Sequence, residues 1–294
     1  MALPTYASPL ERVWHWTYIA ICVAIFVFLI APIIVVIPLS FNAEPYFTFT
    51  DRMLSFDPEG YSMRWYDSLL TFGMVRGDAA RDASWWSDAW HNAKWISAAK
   101  NSIIIGVFST IIATVLGTLA ALGLARKEMP FRRIIMAVLI SPMIVPIIIT
   151  ATGMFFFYSS ACVDQGSMLG KLLSPLLSNS GCMANTYLGV ILAHATLGIP
   201  FVIITVTATL IGFDQSLNRA AASLGANPRT TFFRVTMPLI LPGVISGALF
   251  AFVTSFDEVV AVLFIAGPDQ QTIPRQMWNG IREQISPAIL AVAT

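Results

Sequence analysis

The sequence predicts an all-α membrane protein, a polytopic helical bundle with about six transmembrane helices, the last of them incomplete within this chain. Three observations carry that prediction. Hydrophobic residues fill 56% of 294 positions and charged residues 11%, with a mean hydropathy of +0.74, whereas a soluble domain of this length carries about twice the charge. Apolar runs long enough for a hydrocarbon core of about 30 Å recur along the chain. Short basic loops stand between them and fix their orientation through the positive-inside rule. The net charge of +1 identifies no partner, and no nucleic-acid ligand is expected. Three cysteines are too few for a disulfide scaffold or a structural zinc site.

Residues 1–40 form a lead and a first helix. Arg12, Trp14 and Trp16 suit a membrane interface, and Thr17 to Leu39 is long enough to cross. That run is too long for a signal peptide and lacks a small-x-small cleavage site. Cys22 within it reads as a small packing residue. Residues 41–97 form an external loop with turn signals at Asp57-Pro58-Glu59-Gly60 and many aromatics, which line the interface or pack the loop.

Residues 98–294 form the core. Ala98 to Leu124 carries Gly106, Ala113, Gly117, Ala120, Ala121 and Gly123, small residues that let helices approach closely in lipid. Ala125 to Arg133 follows, with Arg126, Lys127, Arg132 and Arg133 against Glu128, and is therefore cytoplasmic. Ile134 to about Tyr158 is a helix bent at Pro142, Pro146 and Gly153. The external loop from Ser159 to Ala184 holds Cys162 and Cys182; an oxidising periplasm favours a bridge, and two free thiols is the alternative. Thr186 to Ile211 is a helix interrupted at Gly198-Ile199-Pro200, with His194 in an apolar setting. Leu239 to Ala266 is the fifth helix, and Gly267 to Glu283 lies outside. The apolar run Ser286 to Thr294 is too short to cross.

Between the fourth and fifth helices, residues 212–238 form a polar insertion on the cytoplasmic side. Ala220-Ala221, three residues, Gly225-Ala226, a stop at Pro228, then Val235-Thr236-Met237-Pro238 resembles the EAA loop of ABC importer permeases. Arg219 stands where that family has Glu, and Val235 and Met237 where it has Ile and Leu. The resemblance implies a type I permease bundle and a coupling helix at Arg219, Ala220, Ala221, Gly225, Ala226, Pro228 and Pro238 that docks on an ATPase. Tyr61-Ser62-Met63-Arg64-Trp65-Tyr66, Ser255-Phe256-Asp257-Glu258, Phe264, Gly267-Pro268, Ile273-Pro274 and Ser286-Pro287 are similar to the spermidine/putrescine branch, second-permease type. Related branches carry opines, gamma-aminobutyrate or ferric iron. The resemblance further implies a bacterial inner-membrane location, a second permease subunit, two cytoplasmic ATPases that hold ATP and magnesium, and a periplasmic substrate-binding protein.

The chain itself has no Walker sequence, so ATP hydrolysis belongs to a partner and no cofactor or metal is expected here. Asp257 and Glu258 place two carboxylates in an apolar run, a functional-site hypothesis by default. In one continuous helix they stand about 100° apart, so one is expected on the translocation path with Phe256 and Ser255, the other paired with a group such as His194 or a polar group on a neighbouring subunit. The blander alternative is that both tie helices together or lie near the outer interface. Ser246 or Ser255 with His194 gives a weak serine-hydrolase reading. A secondary carrier or channel would call for internal repeat symmetry, which is not detected.

Overall fold

The computed structural model describes residues 8–75, 77–126, 128–164, 166–173, 177, 181–212, 214, 216–283 and 286–294. Among them the chain is helical, and the pairings of extended backbone are two isolated bridges, Asn42 with Tyr61 and Cys162 with Cys182. It divides into two compact units, Met1–Lys94 with Asn279–Thr294, and Trp95–Trp278.

The first unit begins with α1, Pro9–Ser40. The helix starts eight residues before the apolar run because Ser8 and Glu11 form a capping box: Glu11 N donates to Ser8 Oγ at 3.3 Å and Ser8 N to Glu11 Oε2 at 2.7 Å. The interfacial lead is thus largely the first turns of α1. Short helices α2 (Asp51–Leu54), α3 (Arg64–Thr71) and α4 (Ala83–Asn92) follow. Aromatics tie this segment together. Trp65 Nε1 donates to Asn42 O at 2.7 Å, Trp85 Nε1 to Gly77 O at 3.0 Å, and Tyr66 OH bonds Ser40 Oγ at 2.8 Å. Trp86 and Trp90 remain exposed.

α5, Lys94–Leu124, continues as a single 31-residue helix. The expected third helix is two: α6 (Arg132–Ile144) and α7 (Ile147–Ser160) meet at 103°. Val145 is extended at ψ 137°, the conformation a following proline imposes, and Pro146 has no N–H to continue the ladder. Pro142 sits inside α6 without ending it. α8 (Met168–Leu173) lies in the loop that the Cys162–Cys182 disulfide closes.

α9, Tyr187–Ile211, is capped by Thr186, whose Oγ1 accepts from Gly189 N at 3.0 Å. It runs unbroken through Gly198-Ile199-Pro200, where an interruption was expected. Pro200 removes one hydrogen bond, a loss that a helix packed among others tolerates. α10 (Ser216–Ser223) and α11 (Pro228–Thr231) lead through a wide turn, Phe232–Thr236, into α12 (Met237–Asp257). α13 (Val260–Ile265), α14 (Ile273–Glu283) and α15 (Ala288–Ala293) complete the chain, with α15 packed on α1 and α3 in the first unit.

Among the described residues four helices are long and apolar enough to span a membrane, and the bent α6–α7 pair makes a fifth span if it is counted as one. In the second unit α9 and α12 pack along their length. A Cβ on Gly247 would lie 2.8 Å from Val202 Cα, and one on Gly117 would lie 3.2 Å from Ile199 O. Close backbone approach through small residues is what holds helices together where lipid supplies no hydrophobic drive. Buried Ala113, Val202, Val206, Ile240, Val244 and Ala251 form the core at one end. Ile105, Tyr158, Val190, Val262 and Ile265 form it at the other.

Candidate functional site

The insertion between α9 and α12 is built from local signals. Asp214 caps α10: Ser216 N donates to its Oδ1 at 2.8 Å and Ser216 Oγ to its Oδ2 at 2.6 Å. Those bonds, then the Arg219 charge, hold the Asp214 carboxyl below the usual range. α10 stops at a left-handed Gly225, φ +81°. Ala226 N donates to Ala221 O and Gly225 N to Ala222 O, both at 3.0 Å, the paired bonds of a Schellman stop. Gly225 has nothing within 4 Å of where a Cβ would stand, so its value is backbone freedom rather than a close neighbour. Asn227 opens α11 by accepting from Thr230 N at 2.8 Å, with Pro228 at the first helical position. Thr236 Oγ1 donates to Asn218 Oδ1 at 3.2 Å and ties α10 to the root of α12.

Arg219, Ala220, Pro228 and Pro238 are exposed, Ala226 is half-buried, and Ala221 faces inward. The most prominent apolar side chain at the tip is Leu224, 89% exposed. The sequence reading passed over it; its signal was an apolar residue directly before a helix-stopping glycine. Pro228–Asp257 reads as one 30-residue helical rod, about 45 Å long. The tip therefore leads into one end of this rod, and Asp257 is its other end.

At the far end the structure corrects the continuous-helix picture. α12 ends at Asp257, and Glu258 is extended at ψ 120°. Glu258 Oε1 accepts from Val260 N at 2.6 Å and Ala261 N at 3.0 Å, so it caps α13. Asp257 is exposed, and neither acid has an ion-pair partner among the described residues. Phe256 is half-buried and stacks on Phe252, centroids 5.8 Å apart.

His194 is not the acids' partner. It is 1% exposed, and its Nδ1 lies 2.8 Å from Ser255 Oγ, which also accepts from Ser109 Oγ at 3.0 Å. This chain joins α9, α12 and α5. A serine and a histidine at that distance have the spacing of a nucleophile and its base, yet Ser255 is buried in the helix interface at 5% exposure. Residues the sequence reading missed hold the segment after α13. Arg275 Nη1 donates to Val262 O at 3.1 Å and Ala266 O at 2.8 Å. Asn101 Nδ2 donates to Asp269 O at 2.8 Å and Gln271 O at 2.9 Å, and Tyr187 OH donates to Asn101 Oδ1 at 2.8 Å.

A polar tip stands before the rod, the rod is long and apolar enough to span a membrane, and a helix break ends it. Residues 113–294, which contain all three, match the family of binding-protein-dependent transport system inner membrane components. The chain belongs to that family. The permease is 26% identical over 271 residues to the spermidine/putrescine transport system permease protein PotC of Escherichia coli (strain K12), covering 92% of this chain and 84% of that one. It is 29% identical over 297 residues to the putrescine transport system permease protein PotI of the same organism, covering 99% and 87%. Its backbone matches a chain from a bacterial ABC transporter involved in the import of the acidic polysaccharide alginate at a TM-score of 0.59, with 14% identity, covering 98% of this chain and 91% of that one. That likeness places the permease in the type I importer fold. The family and fold implied by the loop pattern are thus shown, and the protein is a multi-pass membrane permease.

Proposed function

We propose that this chain is one of two permease subunits of an ATP-driven importer for polyamines in a bacterial inner membrane. Two cytoplasmic ATPases, which would hold ATP and magnesium, work beneath it, and a periplasmic binding protein delivers the cargo. The observation that carries the cargo assignment is Asp257 at the C-terminal end of α12. The helix dipole is negative there, so a carboxylate gains nothing from it and the position attracts a protonated amine. The relatives that handle spermidine and putrescine support the same class.

In this mechanism, ATPase closure pushes on the Arg219–Pro228 tip, and the α11–α12 rod carries the displacement to Asp257. Cargo shifts the balance between inward- and outward-facing states only by its difference in affinity for the two. The test is uptake of labelled spermidine by cells expressing the permease with its neighbouring transport subunits. Competition by excess putrescine, but not by gamma-aminobutyrate or ferric iron, is expected; the reverse pattern reassigns the cargo.

A further inference from the structure

At the inner end of α5 a cavity of about 770 Å³ opens beside the basic loop. Leu119, Leu122, Met129 and Phe232 give it apolar walls, and Arg126 and Glu128 stand in its lining. Leu119 lies five residues before the end of α5, about 7.5 Å up the helix axis, which for a 31-residue helix is about the edge of a hydrocarbon core of about 30 Å. Its upper wall continues into the exposed apolar side chains Phe108, Ile111, Val115 and Leu116 of the same helix.

The electrostatics at its mouth favour an anion. Ala125 to Arg133 carries four basic residues against Glu128, and Arg126, Arg132 and Arg133 have no carboxylate partner among the described residues. Glu128 offsets one of these charges and leaves the loop basic. Basic pockets at the cytoplasmic ends of membrane helices recognise anionic headgroups, each basic residue contributing about fivefold in affinity. We propose that this cavity binds one anionic glycerophospholipid, its phosphate at Arg126 and its acyl chains along Leu119 and Leu122. The apolar walls Leu119, Leu122, Met129 and Phe232 at this boundary favour a lipid over an acidic protein surface.

Native mass spectrometry of the full chain in mild detergent, titrated with dioleoyl phosphatidylglycerol or dioleoyl phosphatidylcholine, tests this. Phosphatidylglycerol should be retained at least about fivefold more tightly. Arg126→Gln should weaken that preference about fivefold and leave phosphatidylcholine unchanged, Arg126→Lys should restore it, and Leu122→Trp should fill the cavity and reduce retention of both lipids. Equal retention of the two lipids by the unaltered chain overturns the proposal, as does a preference that Arg126→Gln leaves undiminished. Full displacement by glycerol 3-phosphate would show a headgroup-only anion site, and loss of the lipid when ATPase subunits are bound would show a protein contact; either result also overturns it.

Discussion

Glu258 and Arg275 close opposite ends of one six-residue helix, the carboxylate on the free N–H groups of α13 and the guanidinium on its last carbonyls. Each charge opposes the helix dipole at its own end, worth about 0.3–1 kcal/mol apiece at exposed ends and more when partly buried. A helix this short has no stability of its own. It persists because both ends are held and because it packs on α7 and α9. The break after Asp257 is therefore built into the bundle, and the two adjacent acids have different work.

That division gives the first prediction. Asp257→Asn should raise the amine concentration needed for half-maximal uptake by about tenfold, the factor that 1.4 kcal/mol of lost ion pairing produces. Glu258→Ala should leave that concentration within about twofold and lower thermal stability, because a lost N-cap costs about 1 kcal/mol. Uptake titrations and melting of the purified variants separate the two. Matching uptake curves for Asp257→Asn and the unaltered permease would remove Asp257 from the path.

Gly225 gives the second. Any side chain fits the space around it, but not its φ of +81°. Gly225→Ala should destabilise the tip by about 1 kcal/mol, whereas Gly225→Asn, which tolerates the left-handed region, should cost less. Co-purification of the ATPase subunits and spermidine uptake should fall in the order Gly, Asn, Ala. An alanine variant that couples as well as asparagine would show that the Schellman stop is not what presents the tip.

These two sites show what the sequence could and could not reveal. The spans α1, α5 and α9 were legible because apolar length is sufficient evidence in a bilayer, but the helix stop expected at Pro228 falls at left-handed Gly225, and Pro228 instead opens α11. Proline was ambiguous. Pro146 divides a helix while Pro200 does not. The break at Glu258 was invisible, since Asp257-Glu258-Val259-Val260 contains no glycine or proline. It exists through a side-chain cap and tertiary packing. His194 was expected beside a carboxylate because charge seeks charge in an apolar medium, and two serines from other helices took that place instead.

The external loop provides the third prediction. Cys162 and Cys182 are joined across a separation of 20 residues, and closing a loop of that length stabilises the folded state by about 3 kcal/mol in the chain-entropy model. Replacing both with serine should lower the melting temperature and increase protease cutting of the loop, while insertion in the membrane is unaffected. Thiol labelling without reductant should modify neither position; full labelling would show that the bridge is absent from the native protein.

The buried chain Ser109–Ser255–His194 supports the last prediction, because its two kinds of contribution differ in size. Single interhelical hydrogen bonds in membrane proteins average about 0.6 kcal/mol, so Ser109→Ala should change stability little. His194→Ala removes a ring that is 1% exposed and leaves a cavity, for which large-to-small core changes cost about 2–5 kcal/mol. His194→Gln keeps much of the volume and a polar contact to Ser255 and should recover most of the loss. Denaturation in detergent with all three variants reads this directly. If Ser109→Ala proved as damaging as His194→Ala, the hydrogen bonds rather than the packing would be what holds α5, α9 and α12 together, and the network would then be the element to watch as the bundle changes state.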